Sequence, residues 1–320
     1  MYKATTNPLL NTIKNIQLLL LFLFSISLVS CNDDDEVAPV RAQPTIDKVE
    51  IGLGNNQIGV IGKDFHFNAE VVAGDKIDLV QVKIQQRVGE TYTSTWSHEV
   101  TWEQYKGAKN ATIHKHFDIP ANAVEGVYDF LIIVTDENGT KLEDKKALTI
   151  YSAANLPIDP QLSIFDIFKN DDMFYINGAL ATAGDQLKKG DVFKSQVTIS
   201  GVKGDGIMYL LLIDKSAKHR PESIDQIDFS IAIVYDVYEH KNWPDVDYFT
   251  NSVFDMETYT SVRDFPVLTI GASTDNNTPP AAINGAKSWK TGDYYYGVVY
   301  HNSTHNMNLF HYIEVAIDNN

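Results

Sequence analysis

Two histidines, His114 and His116, stand one residue apart in the segment "ATIHKHFDIP". The segment's alternating pattern predicts a β-strand, in which side chains two residues apart share a face and lie about 7 Å apart. Ile113, Phe117 and Ile119 are predicted to face the core, which leaves both histidines on the outer face. Paired imidazoles are ligands for zinc or copper, whereas the alternative is an ordinary solvated face.

A third histidine, His66, lies in the alternating segment "DFHFNAEVVA" and is predicted to face outward as well. In an immunoglobulin-like strand order the two segments are the second and fifth strands, which neighbour each other in one sheet. The sequence therefore predicts that His66, His114 and His116 converge on one exposed patch. Glu70 or Asp118 is expected at its margin. A site that lacks a fourth protein ligand would suit capture and release, and binding should weaken below about pH 6 because protonated imidazole cannot coordinate.

A second candidate site contains aromatic residues. Trp243 and Tyr248 lie in "HKNWPDVDYF", where Pro244 and the polar neighbours predict a loop. An exposed aromatic ring on a loop can stack on a sugar ring, so these two residues form a candidate glycan platform. The alternative is that they pack in the core.

Signatures of catalysis are absent from the sequence. It contains no G-x-S-x-G, no H-E-x-x-H and no phosphate-binding glycine loop, so we expect no enzyme. The formal net charge of −16 argues against nucleic acid as a partner, because nucleic-acid binders need a basic surface.

The amino-terminal region indicates export. Residues 1–30 combine lysines with the apolar run "IQLLLLFLFSISLVS", the pattern of a cleaved signal peptide. "LVSC" resembles the bacterial lipoprotein box, which implies that Cys31, the single cysteine of the chain, is acylated. Acyl chains on Cys31 would then anchor the protein in the outer membrane.

An acidic run follows Cys31 directly. Asp33, Asp34, Asp35 and Glu36 occur in "CNDDDE", which resembles the export signal of Bacteroidetes surface lipoproteins. The resemblance implies that the protein faces the cell exterior; the alternative is a simple solvated tether. Residues 31–43 are accordingly predicted as a lipidated, acidic linker.

The elements that position these residues are predicted to be strands. Between residues 44 and 151 about seven short alternating segments, with an Asn138–Gly139 hairpin turn, indicate an immunoglobulin-like sandwich. The fold class is therefore all-β, with two immunoglobulin-like antiparallel β-sandwich domains in tandem behind the signal peptide and tether.

The first of these domains resembles a known family. "PTIDKVEIG", "GKDFHFNAEV" and "HKHFDIPANAVEGVYDFLIIVTDENG" are similar to the Bacteroidetes lipoprotein domain of unknown function DUF4625. The resemblance covers residues 44–151 and implies a β-sandwich on a surface lipoprotein, without implying an activity.

The remainder of the chain is predicted to form a second sandwich. Residues 152–160, with two prolines, are predicted as a linker, and residues 161–320 as a sandwich-like domain with an aromatic-rich insertion at 215–280. Its closing segment resembles the end of the first half, which indicates either a diverged repeat or a shared hairpin geometry.

These observations predict a non-enzymatic cell-surface lipoprotein that captures a ligand. The ligand is expected to be a divalent metal on the first domain, delivered to a partner such as a TonB-dependent outer-membrane transporter. The alternatives are a glycan bound by the second domain, and a structural or adhesive surface subunit.

Overall fold

The computed structural model describes residues 41–320. The predicted signal peptide, Cys31 and the acidic residues 33–36 lie outside the described residues. The described part contains strands and short 3-10 helices, and no α-helix occurs within it. Among these residues no helix has the length and apolar character needed to cross a bilayer.

The first half contains eight strands in two sheets. They are β1 (Thr45–Ile51), β2 (Ile58–Val60), β3 (Asp64–Val72), β4 (Ile77–Gln86), β5 (Ser97–Trp102), β6 (Asn110–Asp118), β7 (Gly126–Asp136) and β8 (Lys141–Tyr151). One sheet has the order β1-β3-β6 and the other the order β2-β8-β7-β4-β5. Short 3-10 helices lie at Leu53–Asn55 and Glu103–Tyr105.

The core of the first half lies between these two sheets. Phe65 and Phe67 on β3 both contact Phe130 on β7, with ring centroids 5.8 and 5.6 Å apart. Because side chains alternate along a strand, the apolar positions of β3 enter this core while His66 is on the opposite face. The predicted β-sandwich is confirmed for this half of the chain.

The second half contains eleven strands. They are β9 (Gln161–Lys169), β10 (Asp172–Ile176), β11 (Ala179–Leu180), β12 (Leu187–Lys188), β13 (Val192–Asp214), β14 (Ile233–Thr250), β15 (Val253–Asp255), β16 (Thr260–Arg263), β17 (Leu268–Thr269), β18 (Gly292–Asn302) and β19 (Met307–Asp318). The 3-10 helices are Ala153–Asn155, Lys215–Ala217, Ile224–Gln226 and Gly285–Lys287. Nine of the strands form one sheet, and β15 and β16 form a separate hairpin.

The long strand β13 joins two layers of this sheet. Its first part pairs with β9 and its last part pairs with β18, while β14 follows it on the other edge. The register between β13 and β14 shifts repeatedly between Ile199 and Gly206, and such bulges let one strand pass from one layer to the next. Phe165 of β9 consequently packs against Tyr296 of β18, with ring centroids 5.2 Å apart.

Strand β14 lies in the range 215–280, for which the sequence predicts an insertion. Its pairing extends from Ile233 to Thr250 along β13, so this part of the range is an integral strand of the sheet. The hairpin of β15 and β16 is the part that stands apart from the main sheet. The described strands of residues 45–151 pair only among themselves, and so do those of residues 161–318.

Candidate metal centre

Strands β3 and β6 bring the three predicted histidines together. They pair antiparallel with His66 opposite His116 and Asn68 opposite His114. The ring centroid of His66 lies 5.1 Å from the ring centroid of His114 and 5.1 Å from that of His116. The sequence-based prediction that the two segments neighbour each other in one sheet is therefore confirmed.

A carboxylate from the second half completes the group. Glu222 lies between the 3-10 helices Lys215–Ala217 and Ile224–Gln226, and its side chain is 9% exposed. The Glu222 backbone N–H donates to the side chain of Gln226, and the Tyr312 hydroxyl donates to the carbonyl of neighbouring Pro221 at 2.7 Å. These bonds direct the carboxylate at the histidines on β3 and β6.

The four side chains lie close enough together to hold one metal ion. His66 Nδ1 lies 3.4 Å from His116 Nε2 and 3.3 Å from Glu222 Oε2. Glu222 Oε2 lies 3.5 Å from His116 Nε2, and Glu222 Oε1 lies 3.8 Å from His114 Nε2. One ligand atom from each residue lies within 4.8 Å of all the others. Zinc bonds of 2.0–2.1 Å place tetrahedral ligand atoms about 3.3 Å apart.

Two further carboxylates contact the outer nitrogens of the histidines. Asp64 Oδ2 lies 2.6 Å from His116 Nδ1, and Glu50 Oε2 lies 3.5 Å from His66 Nε2. In metal sites the nitrogen that does not bind the ion typically donates to such a carboxylate, which fixes the tautomer and the orientation of the ring. Asp64 thus occupies the position of such a partner for His116, and Glu50 lies near the equivalent nitrogen of His66 without forming a hydrogen bond.

The electrostatics of the group centre on His66 and Glu222. Burial of His66 opposes its protonation, but hydrogen bonds and charge interactions with Glu222 and Glu50 outweigh burial and raise the His66 pKa to about 9. Burial likewise opposes ionisation of Glu222, yet the three histidines outweigh it and lower the Glu222 pKa. Burial lowers the pKa of His114. The pKa shifts of this pair therefore favour an ionised Glu222 beside a protonated His66 when no ion is bound.

Two buried polar atoms at the centre have no hydrogen-bond partner. These are Glu222 Oε2 and His66 Nε2, although each lies within 3.5 Å of an oppositely charged group. The alignment of these pairs is too poor for a hydrogen bond, and weak alignment deprives a buried atom of most of the bond energy. An oxygen in this state beside imidazole nitrogens is placed to accept a cation.

The structure differs from the sequence-based prediction of the site in three respects. His66 does face away from its own core, but the second half covers it and leaves it 3% exposed. Glu70, expected at the margin, instead pairs with Lys48 at 2.8 Å, and Asp118 is not part of the group. Glu222 is a fourth potential ligand, which the sequence analysis did not find. Glu222 is far from the histidines along the chain, so no local sequence pattern connects it with them.

The second candidate site is not an exposed loop. Trp243 lies within β14, where its ring centroid is 4.5 Å from that of His240 and 5.9 Å from that of Phe249. It is half-buried against the second core, whereas Tyr248 is 65% exposed. The predicted loop at Trp243 is wrong, because the bulged pairing with β13 extends through this polar segment.

The described residues thus form an all-β structure of two mostly antiparallel sandwiches, with a cluster of histidines and a carboxylate between them. Residues 29–151 match the family described as "Domain of unknown function (DUF4625)". This region is therefore a DUF4625 domain, as the sequence resemblance predicts. No curated protein matches the chain.

Solved structures give only distant likenesses. The dimeric latent PorU of Porphyromonas gingivalis is 12% identical over 89% of this chain and 21% of its own, with a TM-score of 0.29. A carbohydrate-binding module of the β-sandwich superfamily is 12% identical over 66% of this chain and 85% of its own, with a TM-score of 0.24. An ice-binding, Ca²⁺-stabilised adhesin of an Antarctic bacterium is 10% identical over 87% of this chain and 49% of its own, with a TM-score of 0.20. The chain spans about a fifth of the PorU structure, and such low TM-scores support no inference about function.

Proposed function

We propose that the protein binds one divalent transition-metal ion, with zinc as the best fit, through His66, His114, His116 and Glu222. The observation that carries this proposal is the convergence of three imidazole nitrogens and one carboxylate oxygen within 4.8 Å. Imidazole ligands suit zinc and copper, and a tetrahedral set of four protein ligands is typical of zinc. Magnesium and calcium prefer all-oxygen sites, so they fit the centre poorly.

The ligand set also bears on what the ion does. Four protein ligands close the coordination sphere, whereas catalytic zinc sites usually keep one position for water. The function that fits is retention of an ion by a non-enzymatic protein. Capture at the cell surface, anchoring through Cys31 and delivery to an outer-membrane transporter belong to the same proposal, and they rest on the sequence patterns alone.

The two alternative functions have less support. A glycan platform needs exposed aromatic rings, and Trp243 is packed against His240 and Phe249. A structural or adhesive subunit would need a docking surface, for which the described residues offer no specific observation beyond the exposed hairpin of β15 and β16.

Zinc titration of the full chain tests the proposal. A competing chromophoric chelator measures the affinity of the parent and of a variant in which His66, His114 and His116 are all replaced by alanine. His305→Ala, in a turn outside the centre, is the control. We expect the parent and His305→Ala to bind one equivalent of zinc, and the triple variant to lose that binding.

Cobalt(II) provides a second measurement on the same proteins. A tetrahedral site gives Co²⁺ intense visible absorption that six-coordinate, water-bound Co²⁺ lacks, and the triple variant should not show it. Equal zinc affinity in the parent and the triple variant would mean that the histidines form only a hydrogen-bonded cluster.

A further inference from the structure

We infer that the bound ion is a cross-link between the two sandwiches, so that its occupancy controls how the segment around Glu222 docks on the first sheet. This inference rests on the proposed function. Three ligands come from the paired strands β3 and β6, and the fourth comes from the connection between β13 and β14. An ion at the centre would therefore be bonded to the first half through three histidines and to the second half through Glu222.

Within residues 41–320, the two halves share no buried apolar cluster that would make such a link redundant. The first apolar cluster contains only residues from Ile46 to Ile150, and the clusters of the second half contain only residues from Leu162 onward. Halves that meet without a common apolar core resemble transient partners, for which relative motion is the normal expectation.

Among the described residues, the other hydrogen bonds between the halves come from side-chain amides. The Gln226 side chain donates to Glu50 at 3.3 Å, and the Asn308 side chain donates to the Leu53 carbonyl at 2.8 Å. Hydrogen bonds of this kind contribute little net free energy, because each group exchanges a bond to water for a bond to protein. Binding of a structural zinc ion contributes far more to folding free energy, so an ion at the centre would be the strongest link in this contact.

The ligand from the second half is held by a segment with little regular structure. Between β13 and β14 the chain forms two single-turn 3-10 helices, and Pro221 and Glu222 are placed by hydrogen bonds from Tyr312 and to Gln226. In contrast, the three histidines are on strands that pair over nine residue positions. The strands thus form the rigid side of the centre, and the Glu222 segment is the side that the ion would immobilise.

A cleft beside the centre would respond to this link. It has a volume of about 190 Å³, and its walls come from both halves, with His66 and His116 on one side and Met307 and Phe310 on the other. Because two of the metal ligands line the cleft, fixing Glu222 against them also fixes the separation of its two walls. Occupancy of the centre would then set the width of the cleft.

Hydrogen–deuterium exchange of the full chain, with and without zinc, tests the inference. We expect zinc to slow exchange at least about tenfold in peptides that cover residues 216–227, in addition to those that cover β3 and β6. Glu222→Gln should abolish the effect on residues 216–227 and keep a weaker zinc effect on the histidine strands. Asp225→Asn, an exposed acid in the same segment, is the matched control and should behave like the parent.

The outcomes separate the inference from the proposed function. If the chelator competition shows no zinc binding that depends on the histidines, both are overturned. If zinc binds and protects β3 and β6 but leaves residues 216–227 unchanged in the parent, the cross-link alone is overturned. If Glu222→Gln still protects residues 216–227 as the parent does, Glu222 is not the link and the inference again fails.

Discussion

Asp64 and Asp118 face each other across β3 and β6, but only Asp64 contacts the centre, at 2.6 Å from His116 Nδ1. Loss of an outer-shell partner typically costs 10–100-fold in metal affinity. Asp64→Asn should therefore weaken zinc binding at least about tenfold, measured by chelator competition. Asp118→Asn is the matched control and should leave the affinity unchanged. An equal loss in both variants would mean that general surface charge, rather than orientation of His116, attracts the ion.

Trp243 and Tyr248 provide the second comparison at the residue scale. Trp243 packs on His240 and Phe249, so Trp243→Ala should lower the free energy of unfolding by about 3 kcal/mol, the lower end for a buried aromatic because the ring is only half-buried. Tyr248→Ala, at an exposed site, should change it by less than about 0.5 kcal/mol. Chemical denaturation of both variants measures the change in the free energy of unfolding. A negligible effect of Trp243→Ala would support the interpretation of Trp243 as an exposed glycan platform.

The residues of the centre could be predicted from sequence only in part. Alternation along two segments was enough to place His66, His114 and His116 on one sheet face, because strand geometry is local and strand order is common to immunoglobulin-like folds. Glu222 could not be found in this way. It approaches through the packing of one sandwich against another, and no periodicity in its own segment reports that packing.

At the scale of elements, Gly201 is a requirement of the bend in β13. Its φ of +74° is in the left-handed region, and a Cβ there would overlap the carbonyl oxygen of Asp159. Gly201→Ala should therefore destabilise the protein by more than about 2 kcal/mol, because the left-handed conformation alone costs an L-residue about 1–2 kcal/mol. Gly190→Ala, at a φ of +91 with open space around it, is the control and should cost only that conformational part. Equal losses in thermal unfolding would show that the contact with Asp159 does not matter.

A buried ion pair holds the connection between β17 and β18. Asp275 Oδ2 and Lys287 Nζ are 2.8 Å apart, and both side chains are buried. Burial opposes ionisation of Asp275, but Lys287 and the backbone N–H groups of Ala281 and Asn277 outweigh it and lower the Asp275 pKa. A lowered pKa in the folded state stabilises the fold above the unfolded value of about 3.9, and this stabilisation is lost as the pH falls through the folded value.

The ion pair therefore predicts a pH-dependent effect of mutation. Asp275→Asn should lower the free energy of unfolding by about 3–5 kcal/mol near pH 7, since it leaves Lys287 buried without a counter-charge. The difference from the parent should shrink only below about pH 4, where Asp275 of the unfolded chain takes up a proton while the folded state still holds the carboxylate ionised. Urea unfolding across this pH range measures it, with exposed Asp293→Asn as the control. A difference that does not change with pH would exclude ionisation of Asp275 as the cause.

The elements were predictable where alternation is strong. The strands of the first sandwich and its closing hairpin follow from short apolar and polar alternation and an Asn138–Gly139 turn. Strands β13 and β14 were not recognised as long paired strands, because bulges interrupt their alternation and Asp, Asn and Pro in the second half of β14 are typical of loops. A bulged strand keeps its backbone pairing while losing the regular pattern that sequence reasoning depends on.

At the scale of the whole molecule, residues 42–320 form one compact unit, although the two halves have separate apolar cores. The prolines near residue 157 indicate the change of domain, but nothing in the sequence indicates how the halves meet. Their contact includes scattered polar side chains such as Gln226 and Asn308. An ion held across that contact would couple the stability of the halves.

Thermal unfolding of the full chain tests this coupling. A ligand that binds only the folded state at 100 times its dissociation constant stabilises by about 2.7 kcal/mol, which corresponds to a rise of about 5 °C or more in the unfolding midpoint for a chain of this size. Zinc should produce that rise, and a chelator should reverse it. Magnesium at the same concentration should not, because three of the four ligands are imidazoles. In the His66, His114 and His116 triple alanine variant the midpoint should no longer depend on zinc. An equal rise with magnesium would instead indicate screening of the −16 net charge, and the cation would then act on the whole acidic surface rather than at the centre.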